Sequence, residues 1–187
     1  GWMLLSYGKK VSVSSSLEGY PAENIVDEDA RTAWVAQSNR DMEWAQVDLQ
    51  RLSSIHAIQV NFDEYGANQK GAVSGVYQSY LIYASVNGED WSLVVDYGTK
   101  KTDTPHDYIE FEEPFKARYI KLQNKEYMVS ENFSVRDLRI FGKGQGSTPR
   151  AVNDFTVERD EADPCKARLC WEAVPDAQGY IVRYGIA

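Results

Sequence analysis

The chain has 187 residues, enough for one ordinary domain and a small second one. Apolar residues make up 43%, which is ample for a core, but the longest apolar runs span only a few residues, so we expect no transmembrane helix. The pattern of a signal peptide is also not expected, because no basic segment precedes an apolar stretch. The net charge of -8 argues against binding nucleic acid or anionic lipid through bulk electrostatics.

The predicted secondary structure is β, since no segment sustains a helical apolar stripe over three turns. Apolar and polar residues alternate, as in half-buried strands, in four segments: Val11–Ser14, Ile55–Phe62, Tyr80–Val86 and Tyr108–Phe111. Asn87-Gly88 predicts a hairpin turn, because both residues tolerate positive φ. The segment from residue 65 to residue 76, with three glycines, is predicted to be a long surface loop, a kind that is often functional.

Residues 22–34 form an acidic segment with apolar flanks. Asp27, Asp29 and Thr32 place side-chain and backbone oxygens close together, and apolar neighbours such as Ile25 and Trp34 would pin the loop to a core. Ca²⁺ binds about six to eight oxygens from carboxylates, hydroxyls and carbonyls. The segment is therefore compatible with a structural calcium loop, although a solvated acidic loop has the same composition.

Five further motifs follow the acidic loop in order: Glu43–Leu49, Ile55–Phe62, Tyr80–Trp91, Ala117–Leu122 and Val135–Gly142. In this order and spacing they resemble the discoidin domain, also called the F5/8 type C domain, whose sugar-binding members form the family 32 carbohydrate-binding modules. The resemblance covers about residues 4 to 143. It implies an all-β fold, an eight-stranded antiparallel jelly-roll sandwich, commonly with one bound Ca²⁺ and a ligand site in the loops at one end of the barrel.

The chain beyond residue 143 has a different character. Residues 142–149 have the composition of a flexible linker. The segment after this linker resembles the opening of a fibronectin type III domain, with strands predicted at Asp154–Val157, Ala167–Ala173 and Pro175–Tyr184 and with Trp171 in the core. Such a domain needs about seven strands in about 100 residues, so we interpret the segment as the remnant of a longer protein. The predicted organisation is a discoidin-like domain at 1–143, a linker at 144–150 and part of a fibronectin type III domain at 151–187.

Cys165 and Cys170 are five positions apart in this second part. In an extended segment their Cα atoms would lie about 16 Å apart, whereas a disulfide requires about 7 Å or less. Free thiols are therefore the favoured interpretation, although a segment that folds back at Cys165 would permit a bridge.

The resemblance assigns calcium ligands to the acidic loop and to the last strand. Side chains and main-chain carbonyls both contribute: the side chains of Asp27, Thr32 and Asp137, and the carbonyls of Asn24, Asp29 and Arg136. Asp137 stands where sugar-binding relatives often carry Glu, and Glu28 stands where Gly is usual, so the site is expected to be looser than in the family. Its expected role is structural, because one Ca²⁺ would tie the first loop to the last strand.

Sugar-binding sites combine an aromatic platform with polar groups that reach several hydroxyls at once. In the resembled family these groups come from variable loops, so candidates are chosen here by residue type and loop position. They are Arg40, Asp41, Tyr65, Asn68, Gln69, Tyr77, Tyr127 and Asn132. Trp34, Trp44 and Trp91 are instead predicted to be core or turn-packing residues, because each belongs to a motif that faces the barrel.

Enzymatic chemistry is not predicted for this chain. His56 and His106 are isolated in sequence, without a Cys or Asp partner at a nucleophile or metal-ligand spacing, and no glycine-rich phosphate loop occurs. The discoidin fold is also not known as a glycosidase scaffold. The chain is therefore expected to bind rather than to catalyse.

Three functions are left open. The favoured one is a carbohydrate-binding module, because a discoidin domain followed by a fibronectin type III domain resembles the C-terminal part of bacterial family 43 glycoside hydrolases, which attack arabinose- or xylose-containing glycans. The expected partners are then plant or host glycans, including galactose-containing ones, and the attached catalytic domain of a secreted, extracytoplasmic enzyme. The second is a structural module that packs on that catalytic domain through the lead-in Trp2–Leu5. The third is an adhesion domain for protein or membrane, and it is disfavoured because the loop Gly66–Val76 lacks strongly apolar tips and a basic surround.

Overall fold

The computed structural model describes residues 1–67, 75–144, 151–163, 165–174, 180 and 182. The chain divides into two compact units, Gly1–Gln145 and Gly146–Ala187. The predicted all-β class is confirmed, because the described residues contain ten strands and one short 3-10 helix, Ala22–Val26. The strands are β1 Met3–Leu4, β2 Lys10–Val13, β3 Trp34–Val35, β4 Trp44–Phe62, β5 Gln78–Ser85, β6 Ser92–Tyr97, β7 His106–Tyr127, β8 Ser134–Gly144, β9 Thr156–Arg159 and β10 Ala167–Cys170.

The strands of the first unit form an antiparallel sheet that folds over as a sandwich. Its order is β1-β8-β4-β7-β5-β6, with β2 paired to β4 and β3 paired to β8. The long strands β4 and β7 belong to both layers: the first half of β4 pairs with β2 and its second half with β8. The register of β4 shifts between Asp48 and Ser53, and Gln50 within this stretch has a φ of 64°. An irregularity of this kind bends a strand, which allows β4 to pass from one layer to the other.

The two ends of the sandwich differ. One end, which we call the loop end, holds both ends of the bent strand β4 and the first residues of β5 and β8. The loops that connect these strands therefore meet there. The Tyr127 hydroxyl at the end of β7 donates a hydrogen bond to the Asp63 carbonyl just after β4, and the Phe133 N–H donates one to the Ser38 carbonyl. At the other end, which we call the bend end, β4 turns between the layers.

The apolar lead-in Trp2–Leu5 belongs to this sheet. Met3 pairs with Gly142 of β8, and the Leu5 N–H donates a hydrogen bond to the Ile140 carbonyl at 2.8 Å. The Trp2 ring stacks on His56, with ring centroids 5.1 Å apart. The segment predicted as an interface with another domain is therefore an edge strand of its own unit.

The core lies between the two layers and ends in an aromatic cluster. Trp34 is fully buried, as predicted. Phe62 lies 5.3 Å from Tyr80 and 6.1 Å from Tyr127 between ring centroids, and Tyr127 lies 5.4 Å from Phe133. Burying one large apolar side chain stabilises a fold by about 1.5–3 kcal/mol, so this cluster anchors the loops that leave it.

The predicted hairpin turn at Asn87-Gly88 joins β5 to β6. Gly88 has a φ of 82°, whereas Asn87 acts through its side chain, whose Oδ1 accepts the N–H groups of Glu89 and Asp90 at 2.9 Å each. β5 ends at Ser85 and β6 begins at Ser92, so the turn takes residues 86–91 and is wider than a two-residue hairpin.

The second unit contains an antiparallel pair, β9 and β10. β9 begins two residues later than predicted, since Asp154 has a φ of 56° and lies outside the extended region. Trp171 is half-buried between the rings of Phe155 and Tyr180, at centroid distances of 6.3 and 5.2 Å. Most of the predicted third strand, residues 175–184, lies outside the described residues, so the fibronectin type III assignment stays a prediction.

Both cysteines of the second unit, Cys165 and Cys170, are free and exposed. Across the described ranges, no helix is long and apolar enough to cross a membrane.

Candidate functional site

The acidic loop follows the 3-10 helix and brings several oxygen atoms together. The Asp27 carboxylate accepts a hydrogen bond from the Asp29 N–H at 2.8 Å and from the Thr32 hydroxyl at 2.7 Å. The same hydroxyl lies 2.9 Å from the Asp29 carbonyl oxygen. Ile25 and Trp34 on either side are fully buried, so the apolar flanks hold this group of oxygens in place.

The Asp29 side chain is directed away from this group. Its two carboxylate oxygens accept hydrogen bonds from the Arg31 guanidinium, each at 3.0 Å. These hydrogen bonds lower the pKa of Asp29 to about 2. Of the oxygens of Asp29, only the main-chain carbonyl therefore lies beside Thr32. This carbonyl is the Asp29 group that the resemblance assigned to calcium. Asn24 is held by its side-chain amide, which donates to the Ala33 carbonyl at 2.8 Å.

Asp137 on β8 lies beside the acidic loop and is only 8% exposed. Burial raises the pKa of its carboxyl group, and the charges of Glu28 and Asp27 raise it further. The hydrogen bond that Asn61 donates at 2.8 Å and the charge of Arg139 lower this pKa, but by less. Acidic groups thus crowd the junction of the loop with the last strand. Carboxylate, hydroxyl and carbonyl oxygens are the ligands that Ca²⁺ prefers, so the donor set fits this ion.

Glu28 and Arg139 form a second link between the loop and β8. Glu28 has a φ of 60°, a left-handed conformation that favours glycine, which explains why glycine is usual there in the resembled family. Its carboxylate accepts bonds from Arg139 at 2.6 and 3.0 Å. The Arg136 side chain points elsewhere, toward the Asp63 carboxylate. The acidic loop is therefore tied to β8 by an ion pair as well as by its shared oxygens.

No group of three or more His, Cys, Asp or Glu side chains within the described segments is placed to hold a metal ion. The predicted calcium set would use only two carboxylates, those of Asp27 and Asp137, with the other oxygens coming from a hydroxyl and carbonyls. Its assignment to Ca²⁺ stays a prediction.

Arg40 and Asp41 are exposed at the loop end, just before β4. Their carbonyls accept hydrogen bonds from Asn124 and Gln123 of β7 at 2.9 and 3.1 Å. The backbone is thus fixed to the sheet while both side chains reach solvent. The Asp41 carboxylate lies 3.9 Å from the Lys125 ammonium group.

Tyr77 precedes β5 at the same end and is half-buried. Its hydroxyl donates to the Glu126 carboxylate at 3.0 Å, and Lys101 lies 2.6 Å from that carboxylate and 4.7 Å from the centre of the tyrosine ring. The Met128 N–H donates to the Tyr77 carbonyl at 3.0 Å. The contacts of Tyr77 and of Asp41 thus involve two consecutive residues at the end of β7, Glu126 and Lys125.

The other candidates have different environments. Tyr65 is half-buried and packs edge-on against Tyr20, with ring centroids 4.9 Å apart. The side chain of Asn132 donates to the Ala36 carbonyl at 2.8 Å and so fastens two loops together. Asn68 and Gln69 lie outside the described residues.

Comparison with known proteins decides the family. Residues 10–138 match the F5/8 type C domain. The chain belongs to this family. Lactadherin from Rattus norvegicus is 33% identical over 110 residues, and lactadherin from Mus musculus is 32% identical over the same length. The matched part is 55% of this chain but 25% and 23% of the two lactadherins, so the chain spans about a quarter of these relatives.

Solved structures of carbohydrate-binding modules share the fold of this F5/8 type C domain. Chitosan-binding module 1 of a chitosanase/glucanase from Paenibacillus sp. IK-5 is 20% identical with a TM-score of 0.63, covering 75% of this chain and 99% of the module. The family 32 module of NanJ from C. perfringens, solved with galactose, is 19% identical with a TM-score of 0.58, covering 75% and 97%. At these identities the likeness shows the fold.

Two expectations for this F5/8 type C domain are wrong. Tyr127 is 1% exposed and cannot contact a ligand, because the register shift between β5 and β7 at Ser79/Tyr80 turns it into the core. Trp44 begins β4 and is partly exposed, so it is not a core residue. Trp91 does lie in the turn before β6 and packs edge-on against Tyr119, which agrees with the turn-packing alternative. The alternation of apolar and polar residues in this part of β4 could have predicted the outward position of Trp44, because Ala45 and every second residue after it face inward there.

Proposed function

We propose that this F5/8 type C domain is a non-catalytic carbohydrate-binding module that binds glycan through its loop end. The observation that carries the proposal is the exposed pair Arg40 and Asp41, whose main chain is fixed to β7 at the loop end, with the half-buried Tyr77 just before β5 at the same end. The shared fold with carbohydrate-binding modules supports it, among them a second chitosan-binding module solved with chitotriose.

The loop end offers the two kinds of contact that a sugar needs. The Tyr77 ring supplies an apolar surface for C–H groups, while the Arg40 guanidinium donates hydrogen bonds to hydroxyls and the Asp41 carboxylate accepts them. The backbone of each is held by hydrogen bonds to the sheet, so little ordering is needed on binding. Dissociation constants from about 1 mM to 1 μM, or about -4 to -8 kcal/mol, are expected for such an open site.

The larger context is inferred from the sequence resemblance. We place the domain in a secreted, extracytoplasmic bacterial glycoside hydrolase of the family 43 type, with residues 151–187 opening a fibronectin type III domain. The glycan would then be arabinose-, xylose- or galactose-containing. The alternative, a structural module that packs on the catalytic domain, would use the lead-in Trp2–Leu5, whose Met3 is 51% exposed on the edge strand β1.

Loss of single loop-end side chains is expected to weaken glycan retention. In affinity gels containing xylan, arabinan or galactan, the protein should be retarded by at least one polymer, and Arg40→Ala or Tyr77→Ala should weaken that retention at least about tenfold, which is about 1.4 kcal/mol. Tyr108→Ala is a matched control, because Tyr108 is 51% exposed but lies on β7 next to Phe141. Equal retention of all four proteins would contradict binding at the loop end.

We further propose that the acidic loop and β8 hold one structural Ca²⁺. The convergence of the Asp27 carboxylate, the Thr32 hydroxyl and the Asp29 carbonyl supports this, as does the buried Asp137 carboxylate beside them. The carbonyls of Asn24 and Arg136 would complete the set. A bound cation would offset the repulsion between the carboxylates and so stabilise the folded domain.

Calcium is therefore expected to raise the melting temperature. At a free concentration of about 100 times the dissociation constant the stabilisation is about 2.7 kcal/mol, or about 5–10 °C for a chain of this size. Asp27→Asn should abolish the difference between calcium and chelator, whereas Asp29→Asn should keep it, because only the Asp29 carbonyl lies in the site. Superimposable wild-type melting curves with and without chelator would rule out the calcium site.

A further inference from the structure

An exposed aromatic cluster lies on the outer surface of the layer formed by β2, the first half of β4, the second half of β7, β5 and β6. We call it the aromatic face, and its members are Trp44, Tyr83, Trp91, Tyr119 and Lys121. The strand register places Gln46 and Tyr83 on opposite sides of Lys121 and sets Gln123 beside Trp44. All five members are partly exposed, so the cluster is accessible from solvent.

Lys121 holds the indole rings of the aromatic face in position. Its ammonium group lies 5.0 Å from the centre of Trp44 and 5.4 Å from that of Trp91, both within the range of cation–π attraction. Trp91 in turn lies 6.5 Å from Tyr119 in an edge-on arrangement. The rings are thus ordered before any ligand arrives, which lowers the entropy cost of binding.

The ammonium group of Lys121 is not neutralised by the carboxylate of the adjacent strand. Asp48 on β4, which pairs with Tyr119, is engaged by Arg118 through two hydrogen bonds of 2.8 and 2.9 Å. Among the described residues no carboxylate forms an ion pair with Lys121. The net charge of -8 disfavours anions over the chain as a whole, so an anionic group would be held here by its local contact with Lys121 between the two indoles.

The dimensions and chemistry of the face fit a sugar chain. Trp44 on β4 and Tyr83 on β5 are two strands apart and offset by two residues along the strands, because Trp44 pairs with Gln123 and Tyr83 with Lys121. With strands about 4.8 Å apart and a rise of about 3.4 Å per residue, their Cα atoms are separated by about 12 Å. That span suits an oligosaccharide laid across the strands rather than a single sugar. Indole rings stack on the C–H faces of sugars, and the planar amides of Gln46 and Gln123 can reach hydroxyls at the edges.

We propose that the aromatic face is a second glycan site, which binds an acidic polysaccharide with a uronate carboxylate on Lys121 and sugar rings on Trp44 and Trp91. The inference rests on the proposed glycan-binding function, but it uses a surface separate from the loop end. It predicts a preference for uronate-containing polymers that the loop end alone does not require.

The test uses affinity gels with polygalacturonate and with its carboxyl-reduced, neutral product. The wild-type chain should be retarded more strongly by the acidic polymer, and added salt should weaken that retention. Trp44→Ala, Trp91→Ala and Lys121→Gln should each lower affinity for polygalacturonate at least about tenfold. Lys116→Gln is the control, because Lys116 is an exposed lysine on the other half of β7. Melting curves of each variant, and Trp44→Phe beside Trp44→Ala, separate loss of binding from loss of folding.

The outcomes separate the two proposals. Retention by polygalacturonate that survives Arg40→Ala and Tyr77→Ala but not Lys121→Gln would establish the aromatic face. Retention by neutral polymers only, lost with the loop-end variants, would overturn the second site and leave the proposed function standing. Failure to bind any polymer would overturn both. A change of oligomeric state in Trp44→Ala, with retention unaltered, would assign the face to contact between copies of the chain and overturn the glycan site.

Discussion

Gly142→Ala is expected to destabilise the first unit by about 3 kcal/mol or more. Gly142 lies in β8 and is paired with Ile55 of β4 on one side and with Met3 of β1 on the other. An alanine Cβ at this position would lie 2.0 Å from the Ser54 carbonyl oxygen and 3.2 Å from the Ile55 Cα. Both are backbone atoms, so no side chain can rotate away and the strands themselves must separate.

Overpacking of a core typically costs about 1–3 kcal/mol, and occasionally more. The new Cβ would clash with the backbone of β4 at a position where β8 is paired on both sides, so the cost belongs at the upper end of this range. Gly144→Ala is a matched control on the same strand, because its Cβ would meet nothing within 4 Å; a change within about 0.5 kcal/mol is expected. Urea denaturation followed by tryptophan fluorescence measures both, and a Gly142→Ala variant as stable as Gly144→Ala would show that the strands are not so closely spaced.

Glu43→Ala is expected to cost about 3 kcal/mol, although glutamate is ordinarily a surface residue. Glu43 is only 6% exposed and accepts hydrogen bonds from three serine hydroxyls: Ser14 at 2.5 Å, Ser15 at 2.7 Å and Ser38 at 2.7 Å. Hydrogen bonds to a charged group contribute about 1.5–3 kcal/mol each, and they are not additive. Removing the carboxylate leaves three partly buried hydroxyls without their acceptor and frees two loops from the start of β4.

The same carboxylate makes stability depend on pH. Burial by itself raises the pKa of Glu43, but the three serine hydroxyls outweigh burial and hold it below its ordinary value. A group whose pKa is lower in the folded state stabilises the fold above its unfolded pKa and loses that contribution as the pH falls through the folded value. The wild-type chain should therefore lose stability more steeply than Glu43→Gln between about pH 5 and pH 3.

Thermal unfolding across this pH range measures both effects. Glu43→Ala should lower the melting temperature at pH 7 by about 10 °C, and Glu43→Gln should lower it by less because the amide oxygen still accepts hydrogen bonds. Glu110→Ala is the control, since Glu110 is exposed on β7. Parallel pH profiles for wild type and Glu43→Gln would mean that another carboxylate governs the acid transition.

The sequence motifs predicted where most strands lie, but not which of them form one continuous strand. The motifs Glu43–Leu49 and Ile55–Phe62 are separate in the sequence, yet together they make the two halves of β4, Trp44–Phe62. The residues between them include none of the glycine or proline that usually marks a turn, and the bend is made by Gln50 in a left-handed conformation. A strand that changes layers through a bulge has the same local pattern as two strands with a short connection, so alternation alone could not distinguish them.

In the candidate sites, contacts between residues close in the sequence could be predicted, whereas contacts between residues far apart in the sequence could not. The oxygens of Asp27 and Thr32 are five residues apart, so their proximity could be anticipated from the sequence. The pairing of Glu28 with Arg139 spans 111 residues and depends on how β8 closes the sheet. The outward position of Trp91 likewise follows from where the turn after β5 places it beside β7.

Because β1 pairs with the last residues of β8, the chain enters and leaves the first unit side by side at the bend end. The loop end lies at the opposite pole of the sandwich. The amino-terminal strand thus begins at the pole opposite to Arg40 and Tyr77. Attachment through the amino terminus to a solid support should therefore leave these two side chains as free to meet a polymer as they are in solution.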